Sequence, residues 1–245
     1  DRPDAGIDAV QDALRLAEGI AVQHRGPALR RVRAPPHVDL GAQRGLGRPA
    51  RLDDDDVGRR FAQALIERQR AGVQVQVMRD SAGTLGTPAA FFQDLVDAGV
   101  RVLEFNPLNP LQARGNWELN QRDHRKLLIV DGRTAFLGGV NISSVHSGGS
   151  AGSGLLARPD RQAPWRDTDL QISGPAVAVL QQQFLGGWAA QRGGTLPARQ
   201  WFPPLRAEGP TLVRVIASGP DDAFSAIYLT LLSAIDAAQT SVRLT

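Results

Sequence analysis

Cysteine is missing from this chain of 245 residues. Its absence excludes disulfides and thiolate metal sites, and it leaves the compartment unreadable from redox chemistry. Aromatic residues are scarce, at 5%, with a single Tyr. No apolar run approaches the ~20 residues that a helical membrane span needs. No signal-peptide core is visible either. The sequence begins with Asp rather than Met, which leaves an upstream targeting or lipid-anchoring segment open. A strong charge of one sign is also lacking. The net charge is +3, although the calculated pI is about 10.4. That mild basicity suits an anionic lipid surface and nucleic acid equally. Lysine is almost absent: Lys126 is the only one, and every other basic residue in the Lys+Arg count of 28 is Arg.

What is present is an ordinary globular share of hydrophobic residues, 42%, enough for a core. The length fits one domain of usual size plus further segments. The most informative stretch is Asn120 to Ser144, NQRDHRKLLIVDGRTAFLGGVNISS. His124, Lys126 and Asp131 are spaced as H-x-K-x4-D, and Gly138, Gly139 and Asn141 follow as G-G-x-N. Leu127 to Val130 has the length and composition of a buried strand. Asp131-Gly132 signals a tight turn, and Thr134 to Leu137 reads as the returning strand. Alternation along a strand puts His124 and Lys126 on one face. The hairpin brings Asn141 back toward them. An imidazole, an ammonium and an amide converging on one spot suit a phosphodiester. The imidazole attacks phosphorus, while the cation and amide hold the non-bridging oxygens. Lys offers a compact point charge for a small tetrahedral anion where Arg offers a wide planar fork.

These residues resemble the signature of the phospholipase D superfamily, H-x-K-x4-D-x6-G-[GS]-x-N. The segments DDDDVGRRFAQALIERQRAGVQVQV, GTLGTPAAFFQDL, GVRVLEFNPLNPLQARGNW and PWRDTDLQISGPAV are similar to the bacterial cardiolipin synthase branch. The likeness runs from about Leu52 to Thr245. It implies an α/β fold: a mixed sheet flanked by helices. It implies a two-half enzyme in which each half gives one His-Lys-Asn set to a shared site, with one histidine becoming a phosphohistidine. It implies phosphatidyl transfer between phosphatidylglycerol molecules, a peripheral position at a bacterial membrane or envelope, and no metal or other cofactor. It also implies that an acidic residue in the W-x-D position, here Asp167, hydrogen-bonds the motif histidine. Asp131 is the alternative partner, but its distance along the strand favours a hairpin-anchoring role through backbone or Arg contacts. Trp117, Asn120, Gly139 and Ser143 are candidate substrate contacts.

Taken in order, Asp1 to Gly19 carries one helical stripe. His24 to Leu52 is rich in Arg, Pro and Gly and shows neither helix nor strand period. Such a segment reads as a disordered stretch or as a nucleic-acid- or lipid-binding arm; a third reading, our hypothesis, is that it is out of frame or otherwise corrupted, standing where the resemblance implies a strand-helix-strand opening. Residues 53–191 are expected to form the first phospholipase D-like domain. Asp53 to Asp56 lead a helix with Val57, Phe61, Ala64 and Leu65 inward. Val73, Val75 and Val77 alternate as a strand. Pro88 suits a first helical position, Gly99 closes that helix, and Val100 to Phe105 is a strand. Asn106 to Arg122 and Ser143 to Gly154, with His146, are loops. Thr168 to Ser173 is a strand, followed by a helix with Val177, Leu180, Phe184 and Trp188 on one face. Residues 192–210 are a linker. Residues 211–245 open a second such domain: a strand, a helix over Asp222 to Gln239, and a strand from Ser241. Only one H-x-K occurs, so a partner is expected: the second half of the same enzyme or a second copy of the chain. A homodimeric single-motif nuclease acting on nucleic acid, or an inactive fragment, are the alternatives.

Overall fold

The computed structural model of the chain describes residues 37–43, 50–112, 122–143, 167–218 and 225–244. The N-terminal stripe, Phe224, Trp117, Asn120, His146 and the out-of-frame reading before residue 37 lie outside these residues. Among the described residues the fold is mixed α/β, as expected. Its elements are β1 (His37–Gln43), α1 (Asp56–Arg70), β2 (Gln76–Asp80), α2 (Ala89–Asp97), β3 (Arg101–Phe105), β4 (Lys126–Val130), β5 (Thr134–Gly138), β6 (Asp169–Ser173), α3 (Ala176–Ala190), β7 (Leu212–Ser218) and α4 (Ala226–Asp236).

The strands form three sheets. β2 and β3 pair in parallel, β4-β5-β6 is antiparallel, and β1 pairs in parallel with β7. β1 corrects the sequence reading, which found no strand in this stretch. Its backbone follows the register His37↔Leu212 to Gln43↔Ser218, so pairing with β7 supplies what local periodicity does not.

The aspartate run before α1 is used one residue at a time. Asp55 is the N-cap, its side chain accepting from the Val57 and Gly58 amides. Asp54 pairs with Arg59 and Asp53 with Arg51. Carboxylates at this end satisfy amides that the first turn leaves without partners. β2 starts at Gln76 rather than at Val73, because the ladder with β3 begins at Gln76 opposite Arg101. Pro88 is the cap before α2 rather than its first residue. Gly99 follows α2 with φ of 90°, the left-handed conformation that glycine adopts without penalty.

Two apolar layers hold the chain together. Ala62 and Ile66 of α1, Phe91, Phe92 and Leu95 of α2, and Val100 form one core. Ala135, Ile172, Val177 and Leu180 form the other, with Leu127, Ile129, Leu137, Val213 and Val215 packed against it. The second layer bears out the apolar face read for α3, with Val177 and Leu180 inward and Phe184 6.0 Å from Trp188. Farther along, α4 keeps no buried residue, and Ser241–Leu244 does not form a strand. That expectation fails because nothing among the described residues pairs with it.

Candidate active site

The hairpin is built as its sequence dictates. Lys126 lies opposite Gly138 and Val130 opposite Thr134. Asp131 and Gly132, with φ of 53° and 64°, turn the chain, and the Arg133 amide closes the turn on the Val130 carbonyl at 3.0 Å. Both central residues have positive φ, as the tight hairpin turn requires. Asp131 therefore sits exposed at the end of the hairpin away from Lys126. It makes no ion pair with Arg among the described residues, so its hold on the turn comes from its backbone.

At the other end of the hairpin stand His124, Lys126 and Asn141. The Nε2 atom of His124 is buried and has no hydrogen-bond partner among the described residues. Lys126 donates from Nζ to the His124 carbonyl at 2.9 Å. Asn141 accepts the Arg51 amide on Oδ1 at 3.0 Å, which turns the other end of its amide, a donor, away from that contact. Lys126, Asn141 and Ser143 line one cavity of about 240 Å³ whose remaining wall is mostly apolar, with Phe61, Leu65 and Phe136 among the residues.

His124 is held through its neighbours in sequence. Asp123 and Arg125 make a largely buried ion pair, with the Nε of Arg125 2.8 Å from Oδ1 of Asp123. The Asp123 amide donates to Oδ2 of Asp80 at 2.8 Å, and its carbonyl accepts from the Ala50 amide at 3.1 Å. Arg125 reaches the Gln183 carbonyl on α3. The residues on either side of His124 thus serve the scaffold, and Asp123, Arg125 and Lys126 border the cavity. Arg122 donates to the Asn106 carbonyl at 2.8 Å, fastening the same segment to the end of β3.

The sequence did not single out Asp80, Asp123, Arg125 or Asp169. The first three are tied together over 43 residues of chain, which no local spacing reveals; Asp123 and Arg125, flanking His124, were the one available cue. Asp167 stands against Gly139: a Cβ on that glycine would meet its Oδ1 at 2.5 Å. No hydrogen bond joins Asp167 to His124 among the described residues. Ser143 is buried and donates to Oδ2 of Asp55 at 3.3 Å.

Burial pulls the Lys126 pKa below its ordinary value, while the charges of Asp123, Asp167 and Asp169 act to raise it. This has a sign that stability measurements read. A lysine whose folded pKa is lowered makes folding cost most at pH values where both states are protonated. As pH rises through the lowered value toward 10.5, the folded state releases its proton first and stability recovers. The stability of the wild type relative to Lys126→Met is therefore expected to improve over that window. Lys126 is only half-buried, so solvent screening keeps the gain small. Chemical denaturation at pH 7 and near pH 10 checks this; a difference that moves the other way contradicts it.

Comparison with known proteins bears on the same residues. A family model described as "Cardiolipin synthase, PLD-like domain" matches residues 55–146. "Cardiolipin synthase A" of Pseudomonas fluorescens (strain Pf-5) is 36% identical over 200 residues, covering 79% of this chain and 38% of that protein. "Cardiolipin synthase" of Geobacillus sp. (strain WCH70) is 34% identical over 190 residues, covering 77% and 36%. "Cardiolipin synthase" of Halalkalibacterium halodurans is 32% identical over 197 residues, covering 78% and 36%. The chain thus spans little more than a third of the curated relatives it matches.

Proposed function

The chain belongs to the phospholipase D superfamily, in its cardiolipin synthase-like branch, and from that premise we propose that it contributes a His-Lys-Asn set to phosphatidyl transfer between phospholipids. His124 is the nucleophile. Its Nε2 attacks the phosphorus of a phosphatidylglycerol-like lipid, the bond to glycerol breaks, and a phosphohistidine carrying the phosphatidyl group forms. A second lipid alcohol then attacks phosphorus and frees the imidazole; water in its place gives hydrolysis. Lys126 and the amide of Asn141 hold the non-bridging oxygens as charge grows on them. Asp131 keeps the hairpin turned. Asp167 is the candidate for orienting the His124 imidazole once substrate is bound.

The observation that carries this reading is the buried Nε2 of His124, which no protein group engages among the described residues. A buried ring nitrogen usually has a partner. One kept without is suited to making a bond rather than a hydrogen bond.

The leaving alkoxide needs a proton, and one histidine cannot both attack and donate it. The sequence carries a single H-x-K. The second set comes from a second copy of this chain or from the other half of the same enzyme. Residues 53–191 act as the first phospholipase D-like unit, 192–210 as a linker, and 211–245 as the opening of a second. The protein works at a membrane surface, where its lipid substrate resides.

The test is covalent capture. Incubation with vesicles containing phosphatidylglycerol labelled in its phosphate, followed by quenching at high pH, where phosphohistidine survives, is expected to leave the labelled phosphorus on His124 by peptide mass analysis. Glycerol release without any labelled histidine at short reaction times would overturn the reading.

A further inference from the structure

The strand order puts three residues in one row across the sheet: Lys126 on β4 faces Gly138 on β5, and Gly138 faces Asp169 on β6. Residues directly opposite one another share a face. Two strand spacings, about 10 Å in all, would normally put a middle side chain between the outer two. Here the middle residue has none. A Cβ built on Gly138 would overlap the carboxylate of Asp169 and come within 2.5 Å of the Thr168 carbonyl. The carboxylate therefore lies over the bare α-carbon of Gly138, leaning toward β4. The Val140 amide approaches the same oxygen, Oδ1, at 3.5 Å. Asp169 and Lys126 line the same cavity, and the charge of Asp169 acts on Lys126.

We propose that Asp169, reaching across Gly138, is a positioning residue whose carboxylate favours the charged ammonium of Lys126 on this face of the sheet. The groups facing Lys126 are the carbonyl of His124 and the carboxylates of Asp123, Asp167 and Asp169. Asp123 spends its charge mainly on Arg125, with which it is ion-paired. Asp167 and Asp169 enter from the start of β6, each beside one glycine of the Gly138-Gly139 pair. The glycine pair is on this account a gap left for carboxylates. Without their field, burial would lower further the pKa of the one lysine that the phosphate needs. This role deepens the proposed function by naming what maintains its cation, but it is read without substrate.

Lys126 being the only lysine makes the test direct. Protein grown on ¹³C-labelled lysine gives one Cε resonance, and its shift against pH gives the Lys126 pKa. Asp169→Asn is expected to lower that pKa by roughly half a pH unit, a modest shift because the site is open to solvent. Asp169→Glu is expected to restore most of it, and 1 M salt to shrink the difference. Asp94→Asn, on the outer face of α2, should leave the resonance alone. If Asp169→Asn folds and titrates like the wild type, or if Asp94→Asn shifts the pKa equally, the proposal fails. The readout uses no lipid and no turnover, so a chain without transferase activity leaves it intact.

Discussion

Replacing His124 by Asn is expected to lower phosphatidyl transfer by at least about a thousandfold, the scale on which a nucleophile rather than a binding group is missed. The variant should fold. Asn is polar, and the backbone at 124 is fixed by what lies on either side: Asp123 through Asp80 and Ala50, Arg125 through Asp123 and Gln183. The side chain itself supplies none of those bonds. A fall confined to kcat, with lipid binding kept, is the signature of a group used only in the chemical step. Steady-state transfer measured with wild type and variant, together with the covalent label on residue 124, decides the matter. Turnover within tenfold of the wild type would make His124 a bystander, and the nucleophile would have to be sought elsewhere.

Asp80→Ala is expected to destabilise the fold by about 3 kcal/mol or more and to abolish activity with it. Asp80 is buried at the end of β2, and its two oxygens receive three amides: Ala82 and Gly83 on Oδ1, and Asp123 on Oδ2. Burial raises its pKa, and the amides of Asp123, Gly83 and Ala82 and the charge of Arg122 act to lower it. Removing the carboxylate leaves one buried and two half-buried amide donors without this acceptor and takes away a negative charge that acts on Arg122. Against a total stability of 5–15 kcal/mol typical of domains, such a loss is large. Asp80→Asn should be milder, because its oxygen retains the local turn, yet its amide nitrogen meets the Asp123 amide donor to donor. Denaturant midpoints rank the two. An Asp80→Ala protein as stable as the wild type would remove Asp80 from the frame of the site.

These two residues also mark what the sequence could and could not say. His124 was legible because a strand, a turn and a returning strand lie within some twenty residues, where period and turn chemistry act locally. Lys126, Gly138 and Asn141 come with it, since the turn fixes the register. Asp80 was not legible, because its bond to Asp123 is made only after β2 and the segment before β4 have met. Asp169 was passed over because its meaning depends on a glycine on the strand between it and Lys126, with Asp169 itself two strands away in the sheet. β1 was missed for the same kind of reason: its pairing comes from β7, 175 residues later in the register, His37 lying opposite Leu212. Where an element was read and not found, as after Ser241, local pattern was present without a neighbour to pair with. The helices around β2 and β3 were read within a few residues because caps and glycines bound them from inside the sequence.

Among the described residues no ladder joins the β2-β3 sheet to the β4-β5-β6 sheet. Residues of both β2 and β4 border the same cavity. The domain is thus two plates with a fault line between them, and the candidate site lies on that line. The rivets that cross or flank it include the Asp80–Asp123 bond, Arg122 on the Asn106 carbonyl, the Ala50 amide on Asp123, and the short parallel bridge of Leu52 with Ile142. Slip between the plates would move His124 and Lys126, on one side, relative to α1 and β2 on the other, while hardly altering the hairpin itself. The geometry of the site is therefore set less by the strands that carry its residues than by the few bonds that stop those plates from sliding.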